Sequence, residues 1–209
     1  MKPKAVYLLL FLIPLTSCFS EKCNCPVDEE IIEENIQAFK EIEESSWTEI
    51  GLEDYKSFNR DTYRLIIFPT WMNSEISEYR MENGLGKPKI SVSRYKRIEW
   101  IKSNKLKKVG ETKEFVISED EWAEFEKLVT EKCFWTMSVR SKEMYLDGTG
   151  WILEAKKGTE NNCSNRNYHI VSRVANSPAY FDLCDKLLRL ANSSKKEQDS
   201  LLNKSWTSD

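Results

Sequence analysis

The chain holds one histidine, seven glycines and six prolines in 209 residues, and each shortage excludes something. A single imidazole, His169, with no second Cys or His pair at zinc-ligand distances, leaves no metal signature, so neither a metal nor another cofactor is expected. So few glycines argue against a Gly-rich dinucleotide fold, a collagen-like array or a β-helix. No P-loop and no Ser nucleophile elbow is present. Asp147-Gly148-Thr149-Gly150 lacks the repeated acidic ligands of an EF-hand and the second copy an aspartic-protease loop needs. No repeat of fixed period is visible. Neither sign of charge dominates, with 31 Lys and Arg against 34 Asp and Glu. The longest N-terminal apolar run, Ala5 to Leu15, is about half of the ~20 residues a spanning helix needs. What the chain has in quantity is aromatic side chains: seven Trp, eight Tyr and nine Phe. Together with a 40% hydrophobic fraction, they speak for one folded core in a chain of about single-domain length.

The N-terminus reads as a secretory signal. Lys2 and Lys4 form a positive head, the apolar run follows, and Leu15-Thr16-Ser17-Cys18 closes it with small residues. This ending resembles the lipobox of bacterial lipoproteins. The resemblance implies cleavage before Cys18, thioether diacylglycerol on that residue and an acylated new N-terminus. Several acyl chains at ~0.8 kcal/mol per buried methylene make such anchoring lasting. Phe19 at the next position favours the outer membrane, by resemblance to a sorting rule of some Gram-negative bacteria. Loss of Lys2 and Lys4 leaves 29 basic against 34 acidic side chains.

Spending Cys18 on lipid leaves Cys23, Cys25, Cys133, Cys163 and Cys184, an odd number in a compartment where disulfides persist. At least one thiol is then unpaired or intermolecular. A Cys163–Cys184 bridge is the first expectation, with a buried free Cys184 as the alternative.

Beyond the tether, Asp28 to Glu44 has helical spacing, with Ile32, Ile36, Phe39 and Ile42 as its apolar stripe and eight acids against Lys40. Strand-like runs follow at Tyr63 to Trp71, Ile90 to Ile101 and Leu106 to Ile117. Ser118 and Glu121 form a capping box, and Ile117 is placed to clasp Trp122 as a hydrophobic staple. This opens a helix with Trp122, Phe125, Leu128, Val129 and Cys133 on one face. Trp151 to Lys156 pairs with Tyr168 to Val174, and Ser177-Pro178 starts a last helix whose inner face is Tyr180, Cys184, Leu187, Leu188 and Ala191. The expected fold class is α+β: an antiparallel sheet of about five or six strands, two main helices on one face and an acidic N-terminal helix. The expected boundaries are a signal peptide at 1–17, a tether and acidic helix at 18–60, one domain at 61–193 and a polar tail at 194–209.

The order Leu146-Asp147-Gly148, Trp151-Ile152-Leu153-Glu154, Tyr168-His169-Ile170-Val171 with Arg173, preceded by Phe134-Trp135 and followed by Leu187-Leu188-Arg189-Leu190-Ala191, resembles a group of bacterial proteins of unknown function, some of them lipoproteins. The resemblance covers roughly residues 63 to 192. It implies one folded unit and no mechanism.

Two features bear on function. If Trp151, Leu153 and Ala155 face the core together with Tyr168 and Ile170, then Glu154, His169 and Arg173 share the opposite face, with Asp147 nearby. A carboxylate, an imidazole and a guanidinium so grouped suit general acid/base work on an anionic substrate. On a wet sheet face the same residues are ordinary cross-strand pairs. The second feature is charge. Ten basic residues lie between Lys87 and Lys113, among them Arg94, Lys96, Arg97, Lys102, Lys105, Lys107 and Lys108, against Glu99 and Glu111. With Tyr95 and Trp100 they suit anionic lipid headgroups, a polyanionic glycan or nucleic acid, of which export makes nucleic acid the least natural. The acidic helix could instead dock over this basic hairpin within one molecule. The sequence thus reads as a lipid-anchored envelope protein whose domain is a binding module, of immunity or assembly-accessory type. The alternative is a small hydrolase or transferase using Glu154 and His169.

Overall fold

The computed structural model describes residues 25–26, 28–44, 60–69, 75–84, 86–97, 106–140, 149–161, 166–173 and 177–191. In chain order they form α1 (Glu29–Glu44), β1 (Asp61–Pro69), β2 (Ile76–Asn83), β3 (Lys89–Arg97), β4 (Leu106–Lys108), β5 (Lys113–Val116), α2 (Glu119–Glu131), a 3₁₀ turn (Phe134–Thr136), β6 (Thr149–Asn161), β7 (Arg166–Arg173) and α3 (Pro178–Leu190). The fold is α+β, and the seven strands form one antiparallel sheet in the order β4-β3-β2-β1-β6-β7, with β5 also paired to β3. The segment read as one strand over 106–117 is two short strands. Gly110 separates them at φ +71, a left-handed conformation that glycine adopts without a Cβ clash.

β1 shows why the sheet is hard to read by alternation. Tyr63, Leu65 and Ile67 point to one face, Thr62, Arg64 and Ile66 to the other, and all six are buried. The first set joins Tyr79, Met81, Ile90, Trp151, Leu153 and Val171 in the main core. α2 and α3 cover that face with Trp122, Phe125, Val129, Tyr180, Leu183, Leu187 and Leu188. The second face carries a smaller core of Ile66, Ile76, Tyr95, Val139, Ile152 and Ile170, to which α1 adds Ala38. A sheet covered on both sides gives near-continuous apolar strands. Within β6, Gly150 lies opposite Phe68, and any Cβ there would run into the Phe68 ring, which accounts for a glycine in a strand interior.

The helix signals are as expected at α2. Ser118 Oγ accepts from the Glu121 N–H at 3.1 Å, and the Glu121 carboxylate accepts from the Ser118 N–H at 2.8 Å. Ile117 and Trp122 are both buried in the main core. At α3, Pro178 holds the first turn and Ser177 is the N-cap, but its side chain makes no capping bond. α1 is turned from its expected orientation. Ile36 is 49% exposed, while Asn35 and Ala38 are buried.

The reason is the edge of β7. The Asn35 side-chain amide donates to the Tyr168 carbonyl and accepts from the Ile170 N–H, both at 3.2 Å. Glu34 accepts from Ser138 Oγ and the Val139 N–H, and Val139 in turn accepts from the Ser172 N–H at 2.7 Å. An edge strand's open backbone groups need such partners. Satisfying them outweighs burying one more isoleucine. No helix among the described residues is long and apolar enough to cross a membrane.

Candidate functional site

The β6–β7 register decides the first candidate. Glu154 pairs with Ile170, Ala155 with His169 and Trp151 with Arg173. Side chains alternate along a strand, so Glu154 lies on the second face while His169 and Arg173 lie on the main-core face. The expected shared face for Glu154, His169 and Arg173 is therefore incorrect. Ile170 and Val171 are both fully buried, so β7 offers no polar side from which to set its phase, and a phase error of one residue exchanges the faces.

Each member has its own surroundings. Glu154 is bound to Arg64: Nε donates to Oε2 at 2.7 Å, and Nη2 stands 2.5 Å from the same oxygen. Arg64 Nη1 is 3.6 Å from Glu78, which also accepts from Arg80 at 2.8 Å and from the Tyr95 hydroxyl at 2.8 Å. Burial pushes the Glu154 carboxyl up, against the pull of Arg64. On the other face His169 places Nε2 3.1 Å from the Met137 carbonyl and meets the Phe134 ring edge-on at 5.0 Å. Arg173 donates to the Ser138 carbonyl and lies 5.4 Å from the centre of the Tyr180 ring. These are the surroundings of interior groups tied to backbone and rings. Asp147 lies outside the described residues.

The expected Cys163–Cys184 bridge is also corrected. Cys184 is a free, buried thiol, and Cys163 lies outside the described residues. Desolvation raises the Cys184 pKa, as it does that of Tyr180 beside it. The bridge present is Cys25–Cys133, with Cα atoms 5.6 Å apart across 108 residues of sequence. Cys133 follows α2 at φ 53, a left-handed position that glycine fills more easily. Cys18, Lys102, Lys105 and Trp100 lie outside the described residues.

The basic surface survives in altered form. Arg94 and Lys96 are exposed on the main-core side of β3, and Lys96 pairs directly with Lys107 on β4. Lys113 pairs with Val92 and so lies on that side too. Lys108 falls on the other side with Tyr95. Tyr95 is buried and bonded to Glu78, so it does not interleave with the basic side chains. Arg97 contributes its backbone, opposite Leu106. Glu75, absent from the expected set, lies 3.8 Å from Arg94 and 3.5 Å from Lys96. The acidic α1 does not dock here: it packs against β7, at the other end of the strand order.

Arg64 and Glu78 are the residues sequence reasoning missed. The available signal was a charge inside the apolar run Tyr63 to Phe68, which calls for a buried partner. Among the described residues no three His, Cys, Asp or Glu side chains converge to hold a metal ion. No protein-family model matches the chain, and a search of curated proteins returns no relative.

Proposed function

We propose that the chain is a lipid-anchored protein of the bacterial cell envelope, tethered through Cys18 in the outer membrane, whose α+β domain is a binding module working through its basic β3–β4–β5 edge. The observation that carries the reading is the cross-strand pair Lys96 and Lys107 with Arg94 and Lys113 on the same side. Like charges placed directly opposite one another destabilise a sheet; Glu75 relieves part of this repulsion, 3.5 Å from Lys96 and 3.8 Å from Arg94, and one carboxylate against these four cations leaves the side net positive and suited to an anionic partner. The hydrolase or transferase alternative has little to rest on, because Glu154 and His169 point to opposite faces.

Two measurements test this reading. Cys18→Ala leaves the chain unlipidated and moves it from the membrane to the soluble fraction; unchanged partitioning removes the anchor. The Lys96→Glu, Lys107→Glu double variant loses binding to poly-L-glutamate by tenfold or more, and an unchanged affinity removes the basic edge as the binding surface.

A further inference from the structure

The outer side of β5 offers backbone as well as charge. The Ile117 N–H donates to the Pro88 carbonyl at 3.0 Å, and Val116 stands opposite Lys89 in the antiparallel register, with Phe115 opposite Ile90 and Glu114 opposite Ser91. Hydrogen-bonded positions alternate along such a strand. Phe115 therefore turns its N–H and C=O toward β3, and Glu114 and Val116 turn theirs away from the sheet. Among the described residues no strand pairs with β5 on that side.

The two faces of this edge differ. The exposed Lys113 stands on the main-core face with Arg94, Lys96 and Lys107. On the opposite face Glu114 lies 3.1 Å from Lys89, so its charge is already matched, and Val116 is 70% exposed. Lysines alone guard an edge against further strands, whereas an exposed apolar residue beside open backbone groups is a template for one. We infer that an extended acidic segment of another protein adds to the sheet along β5 as a further antiparallel strand. The inference rests on the reading of the basic edge given above and names its partner. Main-chain hydrogen bonds to Glu114 and Val116 supply affinity, and side chains on alternate faces supply selection. Directly opposed residues share a face. The residue opposite Val116 is therefore apolar, and its neighbours, on the face of Lys113, are Asp or Glu. Lipid headgroups and glycans match the cations but do not alternate acidic and apolar groups at strand spacing.

The test uses the full chain in detergent micelles and an alternating glutamate–valine octapeptide. Binding is expected to slow hydrogen exchange at the Glu114 and Val116 amides about tenfold and to leave Phe115 unchanged. N-methylation of the peptide's valines, whose N–H groups face β5, weakens binding about tenfold. N-methylation of its glutamates, whose N–H groups face away, leaves the affinity nearly unchanged. Val116→Pro removes an outward donor that the β3 ladder does not use and is expected to weaken binding as the methylated valines do. Equal tolerance of the two methylated peptides, or no added protection at Glu114 and Val116, overturns the inference, and the methylated peptides require no change in the protein. If poly-L-glutamate binding still depends on Lys96 and Lys107 in that case, the proposed function stands. Preference for phosphatidylglycerol vesicles over the peptide overturns the inference in favour of a lipid surface. Protection of the same amides by self-association without peptide overturns it in favour of a second copy. If neither the peptide nor poly-L-glutamate binds, both readings fall.

Discussion

Arg64 and Glu154 face each other across the β1–β6 register with Nε 2.7 Å from Oε2, and both side chains are all but sealed from solvent. The carboxylate that looked most catalytic in sequence is thus the counter-charge of a buried arginine. Removing one member strands the other, which costs about 3–5 kcal/mol in comparable pairs. Glu154→Met and Arg64→Met are each expected to lower unfolding free energy in urea by that order. An Arg64→Met, Glu154→Met double variant is expected to lose clearly less than the two together. Strict additivity would show that the two side chains are independent.

Tyr95 supplies a pH test. Burial, reinforced by the neighbouring Glu78 carboxylate, raises its phenol from 10.0 to about 12. The folded chain holds this proton more tightly than the unfolded one, so the group's contribution is complete below pH 10 and is lost as pH rises toward 12. The difference absorbance titration between the parent chain and Tyr95→Phe should show one tyrosinate step near 12. A step near 10 would mean that Tyr95 ionises as if exposed.

Thiol chemistry separates the cysteines. Cys184 is buried, and desolvation raises its pKa, so a thiol reagent should label it only after unfolding. Opening the Cys25–Cys133 loop by Cys25→Ser is expected to cost about 2–5 kcal/mol. Cys133→Gly opens the same loop but suits the left-handed backbone at φ 53. It should therefore be more stable than Cys133→Ala by about 1 kcal/mol, measured by thermal unfolding.

The α2 cap is a local test with a small expected effect. Ser118→Ala removes the acceptor for the Glu121 N–H and should cost about 1 kcal/mol. Hydrogen bonding from Ser118 holds the Glu121 carboxyl below the usual glutamate range. The cap's contribution is therefore present above that range and lost as pH falls through the lowered value. Circular dichroism of the parent and Glu121→Gln across mildly acidic pH checks this, since only the parent should lose stability through this cap.

Asn35 at the β7 edge offers a further check. Asn35→Ala removes the partner of the Ile170 N–H and of the Tyr168 carbonyl. A loss of about 1–3 kcal/mol is expected, together with faster hydrogen exchange at Ile170.

Much of the fold was legible because its signals are local. The Ser118–Glu121 box and the inner faces of α2 and α3 follow from spacing and capping alone, whereas β1 spans Asp61–Pro69 rather than the expected Tyr63 to Trp71. The phase of β7 was not legible, because Ile170 and Val171 are equally buried and alternation carries no information there. The facing of α1 was misread for a related reason. Asn35 turns inward to satisfy the backbone of a strand more than 130 residues away, and no local pattern records that need. The basic edge was visible as composition, but its facing came from pairing: Tyr95 leaves it for the interior, Lys108 falls on the other side, and Lys113 stays with Arg94 and Lys96. The Cys25–Cys133 link was hidden by separation in sequence.

That link also determines how the domain carries load. Any pull entering from residues before Cys25 passes through sulfur to Cys133, at the end of α2, and bypasses the intervening chain with α1, β1 to β5 and α2. Those elements are shielded from stretching between the N-terminus and the rest of the domain, and β6, β7 and α3 bear the tension.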